Sequence, residues 1–274
     1  MVSIELINEF YKKYNMDSNW IHYFDNLIIP LDPTWKNIAV NVSGGADSAL
    51  CVCILASIIQ KMNYDIKIHF ITHVRVWHNR PWAGPISINV YNKLKSMFPT
   101  IIGDRIQNFI PPEIEEASAG KNLINGKSGD RIAVSSFNNY CMAIYKIDAV
   151  YNAVTLNPQN DILDVSTRPH DRELSLNDEY DKNPVIIGKK NSWVVKPLMF
   201  VEKDWVVYQY IKNNWYDLFN ITRSCEGDIT TDPTKFVDYT KYVYGETIVP
   251  ECGTCFWCFE RNWAIKSALN KLDN

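Results

Sequence analysis

The sequence predicts an α/β fold with a mostly parallel, doubly wound sheet and a cysteine-rich C-terminal extension. Three observations carry this prediction. Short β-branched segments alternate with helical patterns, a glycine-rich loop joins an early strand to a long helix, and four of the seven cysteines lie in the last 50 residues. Strands that alternate with helices favour parallel pairing, with helices covering both faces of the sheet.

The spacing of apolar residues predicts the elements in order. In the first half of the chain we expect an amphipathic helix, a turn-rich link, a buried strand, a long helix, a second strand, a helix and the start of a third strand, at 2–14, 30–33, 37–42, 47–62, 66–74, 88–97 and 101–102. In the second half we expect a loop, a helix, a strand, a long polar excursion, a short strand and a helix, at 110–130, 131–145, 149–154, 157–190, 193–195 and 203–213.

These elements suggest three regions. Residues 1–33 form an N-terminal helix and linker, residues 34–220 form the α/β domain, and residues 221–274 form a four-cysteine region. With 46% hydrophobic and 22% charged residues, the composition is that of a folded protein. A net charge of −3 disfavours wholesale binding of nucleic acid, which usually needs a basic domain.

The chain shows no signal-peptide pattern at its start, and its longest apolar stretch, Ala49–Ile59, is too short to cross a membrane. We therefore expect a cytoplasmic protein that does not bind a membrane. In that compartment cysteines favour metal binding or catalysis over disulfides.

The segment Ser43–Ser48 reads Ser-Gly-Gly-Ala-Asp-Ser and lies between a predicted strand and a predicted helix. Glycines at this position let the backbone turn sharply and approach an anion, and the helix start adds the positive end of its dipole. Ser43 and Ser48 can donate hydroxyl hydrogen bonds, and Asp47 can orient Mg²⁺ or cap the helix. A plain strand-to-helix turn is the alternative.

The second motif is a cluster of thiols. Cys252, Cys255 and Cys258 follow Cys-x-x-Cys-x-x-Cys spacing, and Cys225 lies 27 residues earlier. Four thiolates match the tetrahedral preference of Zn²⁺ and would leave no open position, which predicts a structural zinc site. An iron–sulfur cluster, a redox pair and a metal-free cluster are the alternatives.

Ser-Gly-Gly-x-Asp-Ser after a strand resembles the signature of the PP-loop ATP pyrophosphatases. The resemblance implies an adenine nucleotide alpha hydrolase-like fold and cleavage of ATP between the α- and β-phosphates, with AMP passed to a substrate oxygen. It assigns Ser43, Gly44, Gly45, Asp47 and Ser48 to the pyrophosphate end of ATP. His73 shares a face of the second strand with His69, and we assign it to packing beside the adenine.

Together with the C-terminal cysteines, the loop resembles the 7-cyano-7-deazaguanine synthases. Lys203 and the segment Thr222-x-Ser224-Cys225 match further family positions, and Arg131 is placed like the family's substrate-side arginine. The stretch from Asn157 to Asp161 partly matches the start of the substrate pocket.

The resemblance implies adenylation of a 7-deazaguanine carboxylate, followed by amidation with ammonia and nitrile formation. Asp47, Ser48 and Lys203 are the predicted catalytic residues, and ATP, Mg²⁺ and Zn²⁺ are the expected cofactors. A homodimer is expected from the family alone. The alternatives are PP-loop chemistry of another kind, such as tRNA thiolation or sulfonucleotide reduction, and a nucleotide-binding module without catalysis.

Overall fold

The structure of the protein is a computed structural model. It describes residues 18–75, 83–110, 129–158, 185–187, 193–225, 251, 253 and 255–272. The predicted helix at 2–14 and most of the predicted excursion at 157–190 lie outside these residues. No helix in the described part of the chain is both long and apolar enough to cross a membrane.

The described chain opens with a hairpin that the sequence analysis did not predict. After a 3₁₀ turn at Ser18–Trp20, strand β1 (Ile21–Phe24) pairs antiparallel with β2 (Leu27–Pro30). All four residues of β2 are buried, so the strand lacks the alternation of apolar and polar residues that marks a half-exposed strand. The predicted link at 30–33 begins where this hairpin ends.

Six strands form the main sheet, in the order β5-β4-β3-β6-β8-β7. Their bounds are Asn37–Asn41 for β3, Lys67–Arg75 for β4, Ile102–Ile110 for β5, Ala149–Tyr151 for β6, Val185–Ile187 for β7 and Trp193–Val195 for β8. The first five strands in this order pair in parallel, and only β7 runs antiparallel to its neighbour. The prediction of a mostly parallel sheet is confirmed, whereas β7 falls in a stretch predicted to be irregular.

Six α-helices are described: α1 (Ala46–Met62), α2 (Ala83–Met97), α3 (Gly129–Ile144), α4 (Lys203–Lys212), α5 (Tyr216–Ile221) and α6 (Phe256–Leu272). Helix α2 begins five residues before its predicted start, because Pro85 in the first turn is compatible with a helix start. The sequence analysis missed α5 and α6. Helix α6 carries buried charged residues among its apolar ones, which obscures the helical pattern.

Both faces of the sheet are covered by apolar residues. On one face, alternate residues of the strands, such as Val40 and Phe70, join a core with α1, α2, α4 and α6. The other face uses the intervening residues, including Ala39 and Ile71, which pack with Cys141 of α3. This alternation is the reason that one strand can serve two layers of helices, and it confirms the doubly wound arrangement.

Candidate nucleotide site and metal centre

The glycine-rich loop lies where the direction of winding changes. It leaves the carboxyl end of β3, which lies between β4 on one side and β6 on the other. From β3 the chain builds outward to β4 and β5, and it later returns to add β6 and β8 on the opposite side. In open α/β sheets the crevice at such a switch point is where ligands bind.

Two glycines shape this loop. Gly44 has φ +85°, and a Cβ at this position would lie 2.7 Å from Ile86 Cγ2 in the first turn of α2. Gly45 is the N-cap of α1 and gives no side-chain capping bond. The first N–H groups of a helix have no partner within the helix, so they are directed at the space beside the loop. The backbone there suits an anion.

Gly44→Ala is expected to destabilise the fold by about 3 kcal/mol or more, because it combines an unfavourable φ with a clash against Ile86. Gly253→Ala is the matched control, since Gly253 also has a positive φ, +75°, but has open space around a Cβ. We expect that variant to lose about 1–2 kcal/mol. Denaturant unfolding of both variants measures the difference. Equal losses of the free energy of unfolding would show that the contact with Ile86 does not affect stability.

Lys203 reaches the loop from the first turn of α4. Its Nζ lies 2.5 Å from Asp47 Oδ2 and 3.9 Å from Glu260 Oε2, and its side chain is only 2% exposed. The two partners in the closer pair are 156 residues apart in the chain. The structure therefore brings the predicted catalytic residues Asp47 and Lys203 together at the predicted anion site.

A second contact from α4 secures the start of α1. The hydroxyl of Tyr210 donates a hydrogen bond of 2.7 Å to the carbonyl oxygen of Ala46. Burial raises the pKa of the Tyr210 phenol well above its ordinary value, so the phenol keeps its proton and remains a donor. Helix α4 thus holds both the backbone and the carboxylate of the loop.

Two polar atoms at the loop lack partners. Within the described residues, Asp47 Oδ1 and Ser224 Oγ are buried and accept or donate no hydrogen bond. Ser224 Oγ lies 4.0 Å from the point where a Cβ on Gly45 would stand. These two atoms lie on opposite sides of one loop and could bind a polar ligand or a cation there.

The segment Thr222–Cys225 forms the far wall of the loop. The backbone N–H of Arg223 donates to the carbonyl oxygen of Gly44 at 2.9 Å. The Arg223 side chain pairs with Glu251 at 3.0 Å, and Glu251 lies 3.5 Å from Nε of Arg261. Arg261 in turn donates to Thr222 Oγ1 at 3.1 Å.

The sequence analysis missed Arg223, Glu251, Glu260 and Arg261. The role of each depends on partners that are distant in the chain, which the sequence around it does not reveal. The one available signal was the position of Arg223 within the Thr222-x-Ser224-Cys225 match.

Three of the four predicted metal ligands meet. The sulfur atoms of Cys225, Cys255 and Cys258 all lie within 4.8 Å of one another, and those of Cys225 and Cys255 are 4.0 Å apart. Cys255 and Cys258 stand at the start of α6, and Cys225 ends the segment that lines the loop. Cys252 lies outside the described residues. These three thiols could bind one metal ion.

Cys51, Cys53 and Cys141 are buried in helices α1 and α3 and do not belong to the thiol cluster.

His73 lies on the opposite face of the sheet from α1. Its Nε2 is 3.3 Å from both Asn41 Oδ1 and Asn138 Oδ1, and its Nδ1 accepts a hydrogen bond from Asn108 Nδ2 at 3.2 Å. Two acceptors at Nε2 and a donor at Nδ1 assign the Nε2–H tautomer. Asn41 ends β3 two residues before the loop, so His73 is close to the crevice, and its role beside adenine stays a prediction.

The other predicted residues are placed as follows. Ser48 is buried in the first turn of α1 and donates to the carbonyl oxygen of Gly45 at 3.1 Å. Asn157 is buried on the segment that follows β6. Arg131 lies in the first turn of α3, but its side chain is outside the description, as is Asp161. The assignment of Asn157, Arg131 and Asp161 to the substrate remains a prediction.

Fold and site together define an α/β protein with a glycine-rich loop at its switch point and a thiol cluster next to the segment that lines that loop. No protein-family model and no curated protein matches the chain. Among solved structures, the chain is similar to the U34-tRNA thiolase NcsA from Methanococcus maripaludis, solved with its 4Fe-4S cluster. The identity is 13%, the TM-score is 0.43, and the match covers 87% of this chain and 72% of that one. A likeness at this level carries no argument about substrate or metal.

Proposed function

We propose that this protein is a PP-loop ATP pyrophosphatase, which transfers AMP from ATP to an oxygen of its substrate and releases pyrophosphate. The observation that carries the proposal is the buried Lys203–Asp47 pair, 2.5 Å between Nζ and Oδ2, at a glycine-rich loop at the switch point. The loop motif, the lysine and the segment at 222–225 are far apart in the chain and converge at one place.

Each part of the site has a task in this reaction. The first-turn N–H groups of α1, with Ser43 and Ser48, would bind the β- and γ-phosphates, whose charge grows as pyrophosphate leaves. Gly44 allows the positive φ of the loop and its close approach to Ile86, and at Gly45 the carbonyl oxygen of Arg223 lies 3.4 Å from the position of a Cβ. Donors fixed before the reaction cost no reorganisation at the moment when that charge develops.

Asp47 and Lys203 supply opposite charges to this reaction. Asp47 has its Oδ2 on Lys203, while its buried Oδ1 has no partner among the described residues. Oδ1 would therefore bind Mg²⁺, which prefers one or two carboxylates together with phosphate oxygens. Lys203 would contact the pyrophosphate, where its ammonium offsets negative charge on the leaving group.

For the acceptor we propose a 7-deazaguanine carboxylate, supported by the match of both motifs to the 7-cyano-7-deazaguanine synthases. A carboxylate oxygen attacks the α-phosphorus, and the bond to the α–β bridging oxygen breaks. Ammonia then attacks the activated carbon, AMP leaves, and an amide forms with loss of a proton. The amide oxygen then attacks the α-phosphorus of a second ATP, and pyrophosphate leaves. The carbon–oxygen bond breaks as AMP departs with that oxygen, and loss of the two N–H protons leaves the nitrile.

We further propose that the thiol cluster holds a single Zn²⁺ ion. With Zn–S bonds of about 2.3 Å, tetrahedral geometry puts neighbouring sulfurs about 3.8 Å apart. The 4.0 Å between Cys225 and Cys255, and the limit of 4.8 Å for all three thiols, fit one shared ion. In a 4Fe–4S cluster each thiolate binds a different iron, which separates the sulfurs further. Cys252 would complete a closed, structural site.

The test is mass spectrometry of the products after incubation with ATP, Mg²⁺, ammonium and 7-carboxy-7-deazaguanine. A product at the amide or nitrile mass, formed together with AMP, is the expected result. Reactions without the carboxylate and reactions with Asp47→Ala serve as controls and should yield no AMP.

Two other results would correct the proposal at different levels. AMP without either product would mean that the acceptor is another compound, such as a tRNA or a sulfonucleotide. ADP and phosphate in place of AMP would contradict the pyrophosphatase chemistry itself, and complete absence of turnover would favour the nucleotide-binding module.

A further inference from the structure

Glu260 is a carboxylate in the interior that the proposed chemistry does not use. It lies on α6 with a side chain that is 0% exposed, and its Oε2 is 3.9 Å from Lys203 Nζ. Burying a carboxylate is costly unless an opposite charge or hydrogen bonds compensate it. Lys203 provides that charge, and it is itself only 2% exposed.

The position of Glu260 places Lys203 between two carboxylates. Asp47 is on the loop side and Glu260 is on the α6 side. For a site that receives a polyanion, a second buried negative charge is unfavourable in itself, because it repels the phosphates. A favourable effect of Glu260 on the nucleotide must therefore act through Lys203.

Helix α6 is held in place near Glu260 by contacts with other parts of the fold. Cys258, two residues before Glu260, lies in the first turn of this helix, and Cys255 directly precedes the helix; both are proposed metal ligands. In the next position, Arg261 donates to Phe219 O at 3.0 Å and lies over the Phe219 ring at 3.9 Å. Contacts on both sides of Glu260 thus fix the carboxylate relative to α5 and the loop.

We propose that Glu260 is a positioning residue, which holds the Lys203 ammonium at the loop while Asp47 binds the magnesium ion of the nucleotide. This inference rests on the proposed function. As long as Lys203 has only Asp47 as a partner, any movement of Asp47 toward the cation carries Lys203 with it. A second carboxylate on a fixed helix gives the ammonium an anchor that does not move with the ligand.

The test is a double-mutant cycle read out by binding, which requires no turnover. The affinity for α,β-methylene-ATP with Mg²⁺ is measured by calorimetry for the wild type, Glu260→Gln, Lys203→Met and the double variant. We expect Glu260→Gln to weaken binding about five- to tenfold in the wild type, because Lys203 is then less well placed. In the Lys203→Met background the same change should leave binding unchanged or strengthen it, because only repulsion is removed.

The matched control is Asp204→Asn. Asp204 pairs across the same α4–α6 interface, with Lys271 at 2.7 Å and Ser267 at 2.7 Å, but it does not contact the loop. This variant should bind the analogue like the wild type. Unfolding measurements on all variants separate loss of fold from loss of binding.

The decisive result is that Glu260→Gln weakens binding of the analogue when Lys203 is present and does not weaken it in the Lys203→Met background. Weaker binding in both backgrounds would show that Glu260 is merely structural, and stronger binding in both would show that it only repels the nucleotide; either result overturns the inference and leaves the proposed function standing. A folded wild type that fails to bind the analogue would overturn both.

Discussion

Replacement of Lys203 by methionine is expected to lower the rate of AMP formation by about a hundred- to a thousandfold. The ammonium is the cation that the structure places directly on the loop carboxylate, at 2.5 Å. Without it, charge on the leaving pyrophosphate is stabilised by the backbone and hydroxyl donors of the loop and by the proposed Mg²⁺, but no longer by the ammonium. AMP release at saturating ATP measures the effect, and a rate within threefold of the wild type would contradict the assignment.

Lys212→Met is the control for this variant. Lys212 lies on the same helix and also pairs with an aspartate, Asp25 at 2.7 Å, but the pair is far more exposed. Exposed pairs contribute little to stability because solvent screens them, so this variant should keep both its stability and its rate. Lys203→Met removes the buried cation beside Asp47 and Glu260, which should lower the free energy of unfolding by about 3–5 kcal/mol. The rate of this variant is therefore measured at a temperature at which it is folded.

The second large effect is expected for Cys225→Ser, which should reduce the metal content from about one equivalent to nearly none. Elemental analysis of the purified protein measures it. Because the segment that ends in Cys225 also donates to Gly44 O, we expect nucleotide affinity to fall about tenfold or more as well. By linkage, bound nucleotide should slow the loss of the metal to a chelator.

Cys141→Ser is the matched control for the metal prediction. Cys141 is equally buried but belongs to α3 on the other face of the sheet. This variant should keep its metal and its nucleotide affinity, whatever it loses in stability. Full metal content in Cys225→Ser would contradict the ligand assignment, and a visible chromophore with bound iron would contradict zinc.

The parts of the fold that the sequence predicted are those with a strong local pattern. β3 and α1 carry an apolar run, two glycines and a long buried helix in immediate succession, and their predicted bounds agree with the structure to within one residue. The hairpin at 21–30 and helix α6 escaped prediction, because their burial depends on the elements that they pack against.

The same division holds for the site. The loop at Ser43–Ser48 and the cysteine cluster were predicted from the spacing of a few residues. Such spacing can place backbone N–H groups or thiols around a common ligand. Lys203 was found only because its neighbours match a known family. The one signal for Arg223 is its position within the Thr222-x-Ser224-Cys225 match, and nothing in the sequence distinguishes Glu260 from an ordinary surface charge.

The sequence by itself determined the class of sheet and the position of the glycine-rich loop between β3 and α1, because these depend on residues that are close together in the chain. Only the tertiary structure decided that α4, α6 and the segment at 222–225 surround that loop. Such contacts join residues more than a hundred positions apart. They arise from the packing of helices on a common sheet, which no local pattern encodes.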